Sequence, residues 1–509
     1  MSMPPAFTEL MDLASLRLRG AVLASSDDFF ADRENLLKSS DPEFLPHEYT
    51  DRGNWMDGWE SRRKRGPGHD WAIVRLGVPG VVRGVLVDTA FFRGNYPSHC
   101  SIEACALPTD AHLDALLGPS AEWTEILGRS PLDGDSKNFF AVDCPYAFTH
   151  VRLNIFPDGG VARLRVFGDA IPDWRRIGHA RGELDLAGAE NGAHVLACSD
   201  MFFGERRNLI MPDRALNMGD GWETRRRRGP GFDWALVRLA ARGTISRLVV
   251  DTHHFKGNYP DKCSVEVCDA PTAQLADLVG DAHRWTEVLA PTQLQADTRH
   301  WFQDSLLSLG PATHLRLRVF PDGGVSRLRV FGTLDDDARR SLGLQRLNAL
   351  VPSAAAVELR SCCGSERWTQ VMLARRPFPS AAALLATADA AWASTGPDDW
   401  HEAFRAHPRI GESKAAATQS AAAKAWSSQE QAGVLTASDE ARAALAELNG
   451  AYERQFGFVY IVCASGRSLD EMLDLARARM NNTLDAELRI AAGEQHAITR
   501  VRLEKLLQP

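Results

Sequence analysis

No apolar run in these 509 residues approaches the ~20 needed to span a bilayer, which excludes a transmembrane helix. There is no CxxC pair, which argues against a thiolate zinc site. The nine cysteines are odd in number and scattered over the chain, which fits reduced thiols and not a disulfide framework. Basic charge is not in excess: Lys+Arg 58 against Asp+Glu 66 gives a net charge of -8. A mildly acidic chain without a basic tail is not built for nucleic acid or an anionic membrane surface. Met1 to Gly20 lacks the basic start and apolar run of a secretory signal, so a cytoplasmic protein is expected.

What is present is the composition of an ordinary globular protein, 44% hydrophobic and 24% charged. At roughly 150 residues per domain, this length predicts about three domains. The strongest signal is internal repetition. DGWESRRKRGPGHDWAIVRLG from Asp57 and DGWETRRRRGPGFDWALVRLA from Asp220 share 16 of 21 positions at an offset of 163. The same offset relates DTAFFRGNYPSHCSIEAC from Asp88 to DTHHFKGNYPDKCSVEVC from Asp251. FPDGGVxRLRVFG also occurs twice, and LASSDDFF from Leu23 answers LACSDMFF from Leu196. The first copy carries about ten more residues before its DGWE, around Asp41–Asn54, which predicts a surface loop. A whole domain is duplicated.

Each copy reads as β-rich, with short, partly alternating segments such as WAIVRL and VARLRVF, and PDGG as a tight turn. Many short strands punctuated by Gly and Pro favour a sandwich or jelly roll. After Gly332 the composition turns Ala- and Leu-rich. Ser468 with Glu471 spells a capping box ahead of MLDLARARM, and Leu484–Leu507 has amphipathic spacing. The expected architecture is two tandem all-β jelly-roll sandwiches of the galactose-binding-like kind, followed by an all-α helical domain. The boundaries are set at 17–170, 190–333, a linker 334–343, and 344–509.

The repeated polar words are the place to look for chemistry. Arg forks bind carboxylates, while Asp and Glu accept protons from ureido or amide N–H groups. Such a mixture suits a small planar anion. The plainer reading is that these acids and arginines pair with one another on a sandwich edge. Asn95 and Asn258, in the second repeated word, could equally shape a loop. His253-His254 stands where the first copy has Ala90-Phe91, so the copies cannot use these positions alike. In the helical part, HPRIG from His407, SSQEQ from Ser427 and Arg502 supply an imidazole, an acid and a guanidinium, enough for metal-free proton transfer on a carboxylated substrate. Ser427 and Glu430 also spell a capping box, the plainer reading of both.

These words carry a family resemblance. The DGWE[ST]RR, DTxxFxGNYP and FPDGGVxRLRVFG segments resemble allantoicase over about residues 17–332. The helical part resembles 2-oxo-4-hydroxy-4-carboxy-5-ureidoimidazoline (OHCU) decarboxylase, through LNAL at Leu347, CCGSERW at Cys362, HPRIG, SSQEQAG, FGFVYIVCASGRS at Phe456 and ITRVRLEKLL at Ile498. The resemblance implies a bifunctional enzyme of purine catabolism. One half would be a C–N hydrolase converting allantoate to ureidoglycolate and urea, the other a carboxy-lyase converting OHCU to (S)-allantoin. The alternative is a non-catalytic ureide- or sugar-binding sandwich with a helical oligomerisation module.

On the motif match, His407 is the acid/base, Glu430 its polar partner, Ser427 and Gln431 substrate contacts, and Arg502 the carboxylate holder, with Arg500 only two positions away. Ser465 stands where some members carry Arg. For allantoate, Arg62, Arg63, Arg65, Arg225, Arg226 and Arg228 are the expected anion binders. Glu60, Asp88, Glu223 and Asp251 are expected to contact ureido groups or activate water. No cofactor is expected for the decarboxylase. A divalent metal in the allantoicase half is left open, because no ligand cluster is legible. The expected partners are small-molecule substrates, with the chain a homo-oligomer.

Overall fold

The computed structural model describes residues 3–119, 121–172, 174, 182–280, 285–407, 439–464 and 467–508. The chain divides into two units, Met1–Ala338 and Arg339–Pro509.

The first unit holds the duplication as two β-sandwiches of matching topology, each built on an eight-stranded hydrogen-bonded network. Each is organised by one long strand, Asp70–Asp88 in the first copy and Asp233–Asp251 in the second. The front half of Asp70–Asp88 pairs with Ala147–Phe156 and Ala21–Ser25. Its rear half pairs with Arg163–Ala170 and Lys137–Ala141. One strand therefore serves both layers, and its end at Asp88 is fixed opposite Arg163. The same register sets Asp251 opposite Arg327 and Arg299. The first network also takes in Met11–Asp12, paired to Phe167 and Gly168, ahead of the expected start at residue 17. The inserted loop around Asp41–Asn54 is largely exposed, as expected.

The tryptophans of the DGWE words, Trp59 and Trp222, are fully buried. Their indole N–H groups donate to the carbonyls of Asp27 (2.7 Å) and Asp200 (2.8 Å). A buried indole needs such a partner, and this one ties the word to the strand end before it. The PDGG turns need glycine at their third position. Gly159 and Gly323 have φ +137° and +136°. A Cβ on Gly159 would lie 2.7 Å from the Asn95 carbonyl oxygen, so the turn packs directly on the GNYP loop.

The sandwiches touch through polar side chains. Arg17 of the first donates to both carboxylate oxygens of Asp213 (3.0 and 3.2 Å) and to Asn208 Oδ1 (2.6 Å) in the second. Arg207 reaches back to the Leu10 carbonyl (3.3 Å), and Arg206 pairs with Glu9.

The second unit is helical. Its described helices run Pro352–Cys362, Glu366–Ala374, Ala381–Ala393, Pro397–Arg405, Asp439–Phe456, Leu469–Arg479 and Leu484–Leu506. The Ser468–Glu471 capping box forms as the sequence predicts. Segment 334–343, expected as a linker, instead ends a strand and opens the helix Asp336–Ala349. Asp335 accepts the Ala338 N–H (2.8 Å), and the acids of the first turn favour a helix N-terminus. The core is built on Leu347, Leu359, Trp368, Phe404, Tyr452 and Leu503. Within it lies a buried ion pair: Arg479 donates from Nε to Glu487 (2.7 Å), whose other oxygen accepts from Asn482 (2.7 Å). Among the described residues no helix is long and apolar enough to cross a membrane.

Candidate active sites

In each sandwich the repeated words meet at one end. Gly160 pairs with Glu60, and three residues on, Arg163 pairs with Asp88. Three residues of strand is about 10 Å, so Glu60 and Asp88 share this end. Asn95 donates from Nδ2 to Glu60 Oε1 (2.7 Å), and Asn258 repeats this to Glu223 (2.5 Å). The asparagines of the GNYP words thus do more than shape a loop; they hold the DGWE carboxylates. Asp88 is buried and accepts the Ala90 N–H (2.9 Å); Asp251 accepts the His253 N–H (2.9 Å). Burial raises the Glu60 and Asp88 carboxyls above their ordinary values.

The arginines of DGWE[ST]RR separate into two kinds. Arg62 is tied to Asp27, its backbone N–H (2.9 Å) and Nε (2.7 Å) both donating to that carboxylate. Arg225 does the same to Asp200. Each guanidinium lies over an exposed phenylalanine, Phe29 and Phe202. Arg63, Arg65, Arg226 and Arg228 are exposed and have no ion pair among the described residues. The third basic position, Lys64 or Arg227, pairs with Asp70 (2.8 Å) or Asp233 (2.5 Å). Its backbone N–H donates to the aspartate of PDGG. These bonds explain why acids and bases alternate through the word: much of it is loop scaffold.

Among the described residues of the sandwiches the buried guanidiniums are Arg163 and Arg327. Arg163 donates to the Asp57 carboxylate (2.5 Å), the Asp57 carbonyl (2.8 Å) and the Ser40 carbonyl (3.0 Å). Arg327 donates to the Asp213 carboxylate (2.6 Å) and the Asp220 carbonyl (2.7 Å). The partial alternation of VARLRVF does not reveal that Arg163 is buried, because alternation alone does not say which face is covered.

In the helical unit, His407 follows the helix Pro397–Arg405 and is half-buried. Its imidazole is lowered to about 3, first by burial, then by the positive charge of Arg502, against a smaller opposing contribution from the Gln495 side chain. Gln495, Thr499 and Arg502 are all buried and lie on one face of Leu484–Leu506. Gln495 donates to Thr499 (3.2 Å), and its own side-chain oxygen is buried without a partner among the described residues. Arg502 contacts the Ser361 carbonyl (3.5 Å). Arg500, two residues back, points away and pairs with Asp389, which His496 also contacts (2.7 Å). Two positions along a helix lie on different faces. Arg502, not Arg500, therefore bears on His407. Gln495 was missed in the sequence; its 495–499–502 spacing was the available signal. Ser427, Glu430, Gln431 and Ser465 lie outside the described residues.

Among the described residues no group of three or more His, Cys, Asp or Glu side chains could hold a metal ion.

Comparison with known proteins agrees with this division. The allantoicase repeat family model matches residues 11–171 and 184–335, and the OHCU decarboxylase model matches 348–504. A probable allantoicase of Burkholderia mallei is 48% identical over 333 residues, covering 65% of this chain and 97% of the relative. One of Pseudomonas aeruginosa is 47% identical over 327 residues, covering 64% and 97%. The crystal structure of allantoicase from Saccharomyces cerevisiae superposes with a TM-score of 0.53 at 34% identity, over 63% of this chain and 92% of that one. The chain belongs to the allantoicase family with a fused OHCU decarboxylase domain, and is a bifunctional enzyme of purine catabolism that hydrolyses allantoate and decarboxylates OHCU.

Proposed function

We propose that His407 is the proton carrier of the decarboxylase and Arg502 the group that holds the substrate carboxylate. The observation that carries this reading is the buried helix face of Gln495, Thr499 and Arg502 bearing on one imidazole. A neutral imidazole accepts the hydroxyl proton of the carbon that carries the carboxylate as the bond to CO2 breaks. That carbon becomes a carbonyl, the imidazolium gives the proton to the neighbouring ureido-bearing ring carbon, and the ring nitrogen that received the electron pair takes a proton from solvent. Arg502 disfavours a proton on His407 in the empty site. A bound carboxylate offsets that charge and raises the basicity of the imidazole when substrate is present. Glu430, Ser427 and Gln431 complete the site in this reading, as polar partner and substrate contacts.

In the allantoicase half the reaction is a C–N hydrolysis. Glu60 with Asn95 and Glu223 with Asn258 offer an acceptor and an amide to a ureido group, and Arg226 and Arg228, with Arg63 and Arg65, which have no ion pair among the described residues, offer guanidinium to the carboxylate of allantoate. The chain works on small molecules as a cytoplasmic homo-oligomer. The test is a paired assay on the purified chain: urea from allantoate, and chiral allantoin from freshly generated OHCU. His407→Asn is expected to abolish enzyme-dependent (S)-allantoin formation while leaving urea release intact; retained (S)-allantoin formation would reject His407.

A further inference from the structure

The two sandwiches share their scaffold but differ where a proton could be moved. At the residues after Asp88, the first copy has Ala90 and Phe91; after Asp251 the second has His253 and His254. The backbone there is the same in both. Phe91 and His254 each have left-handed φ, +68° and +70°, an uncommon state for a non-glycine residue. An aspartate holds each one: Asp135 accepts the Phe91 N–H (2.7 Å) and Asp297 the His254 N–H (2.7 Å).

On that common frame the side chains do opposite things. In the first copy Phe91 stacks on Phe44 of the inserted loop, with ring centroids 5.7 Å apart. The same loop draws Lys137 toward Asp41 (3.7 Å). Asp135 spends its second oxygen on Arg93 (3.0 Å). In the second copy the Asp297 oxygen that accepts the His254 N–H also lies 2.9 Å from His253 Nδ1. His253 is about one-third exposed (35%), and its Nε2 has no partner among the described residues. Beside it, His254 Nε2 contacts the Ala215 carbonyl (3.0 Å), and Arg299 donates to Asp251 (3.0 Å). An aspartate fixing one ring nitrogen while the other stays open is the arrangement that makes an imidazole a directed proton carrier. The first copy has an aromatic lid in its place.

We propose that the second sandwich is the copy that turns over allantoate, and that His253, oriented by Asp297, passes the proton to the departing ureido nitrogen. This rests on allantoate hydrolysis as the activity of this half. The protonated imidazole gives its Nε2 hydrogen to the ureido nitrogen as the bond between that nitrogen and the central carbon breaks, and urea leaves neutral. The oxygen of a water bonds to the same carbon, and the proton it sheds returns to Nε2. One water is consumed, ureidoglycolate and urea are formed, and the imidazolium is regenerated.

The test uses the full chain and urea release from allantoate, with kcat and KM measured separately. His253→Gln is expected to lower kcat about 100-fold or more with KM within about threefold. Added imidazole is expected to restore part of the rate to His253→Ala, a rescue that a merely structural histidine would not give. A kcat within threefold of wild type for a His253→Gln protein with the wild-type thermal transition overturns the proposal. Should that variant lose its transition, Asp297→Asn decides, because it keeps an oxygen for the His254 N–H but removes the charge beside Nδ1. A drop of about tenfold with a displaced limb of the pH–rate profile supports the proposal, and an unchanged kcat and profile sink it. A wild-type chain releasing no urea at all would overturn the activity itself, and this proposal with it.

Discussion

The two sandwiches keep the same buried arginine and secure it in different ways. In the first, Arg163 is closed within its own copy: the Asp57 carboxylate takes one arm, and Lys38 balances its other oxygen (2.7 Å). In the second, Arg327 turns to Asp213, and the same carboxylate also receives Arg17 from the first sandwich. The loop before the second DGWE is therefore held partly from outside its copy. What duplication preserved is the bonding frame: the indole to the strand end, the asparagine to the glutamate, the aspartate to the exposed arginine. What diverged is the covering loop, and with it the access to this end of each sandwich.

The largest effect expected from this difference lies in Arg163. It is almost wholly buried, as is Asp57. Arg163→Met removes one partner of a buried pair and leaves Asp57 with Lys38 and the Glu43 backbone N–H. Such a loss costs about 3–5 kcal/mol. Arg327→Met should cost less, about 1–3 kcal/mol, because Asp213 is one-third exposed (34%) and keeps Arg17. Urea unfolding of the two variants, followed by a probe on the sandwiches, checks the order. Equal losses would break the asymmetry.

Acid should weaken both copies through histidines at unrelated positions. His150 of the first is lowered to about 4 by burial and then by the Arg75 charge. His194 of the second, where the first copy has Ala21, is also lowered to about 4, by burial and then by the nearby arginines. The unfolded chain binds protons on these rings from about 6.5 downward while the folded chain refuses them. Stability therefore falls as pH drops from about 6.5 to about 4. For fully buried His150 the loss is about 3 kcal/mol at the low end, from roughly 1.36 kcal/mol per unit. His150→Phe is expected to flatten the pH dependence of unfolding over that window; an unchanged slope would contradict it.

Arg17→Ala probes the bond between the copies. Arg17 is partly buried and hydrogen-bonds a charged group, so a loss of about 1.5–3 kcal/mol is expected. Because its partner Asp213 pins the loop that His254 meets at Ala215, the change should also lower kcat/KM for allantoate several-fold. Urea-release kinetics reads this, with decarboxylation of OHCU as the unaffected internal reference. A variant that lost stability but not kcat/KM would show the contact to be purely mechanical.

How much of this was legible in the sequence follows from where each signal resides. The duplication, the β character and the helical third part stand in the repeats and the spacing, and all appear in the fold. Glu60 and Glu223 were legible as candidates because each stands in a repeated word beside several arginines. Their partners Asn95 and Asn258 were not, since the pairing joins words 35 residues apart. The six arginines looked equivalent in the sequence. Only the fold shows that Arg62 and Arg225 are committed to Asp27 and Asp200 while their neighbours are not. Arg502 over Arg500 was a matter of helix phase, which a two-residue ambiguity in alignment hides and a single turn of helix resolves.

The smallest effect is expected where the two copies agree most closely. Arg62 and Arg225 make the same ion pair in each sandwich, with side chains 63% and 65% exposed. Exposed pairs are worth about 0–1 kcal/mol, since solvent screens the charges and the long side chain loses freedom in pairing. Arg62→Ala and Arg225→Ala should each shift the unfolding midpoint only slightly, and by the same amount. Substrate binding is where they should part from their neighbour. Arg225 is already paired, whereas Arg226, in the copy that carries His253, is exposed and has no ion pair among the described residues. Arg226→Ala should therefore raise KM for allantoate more than Arg225→Ala does, with kcat little changed, the mark of a group that binds substrate and transition state alike. A larger KM effect from Arg225 would mean that its pair with Asp200 opens to take the substrate carboxylate, and that both copies hold a latent anion site behind the same bond.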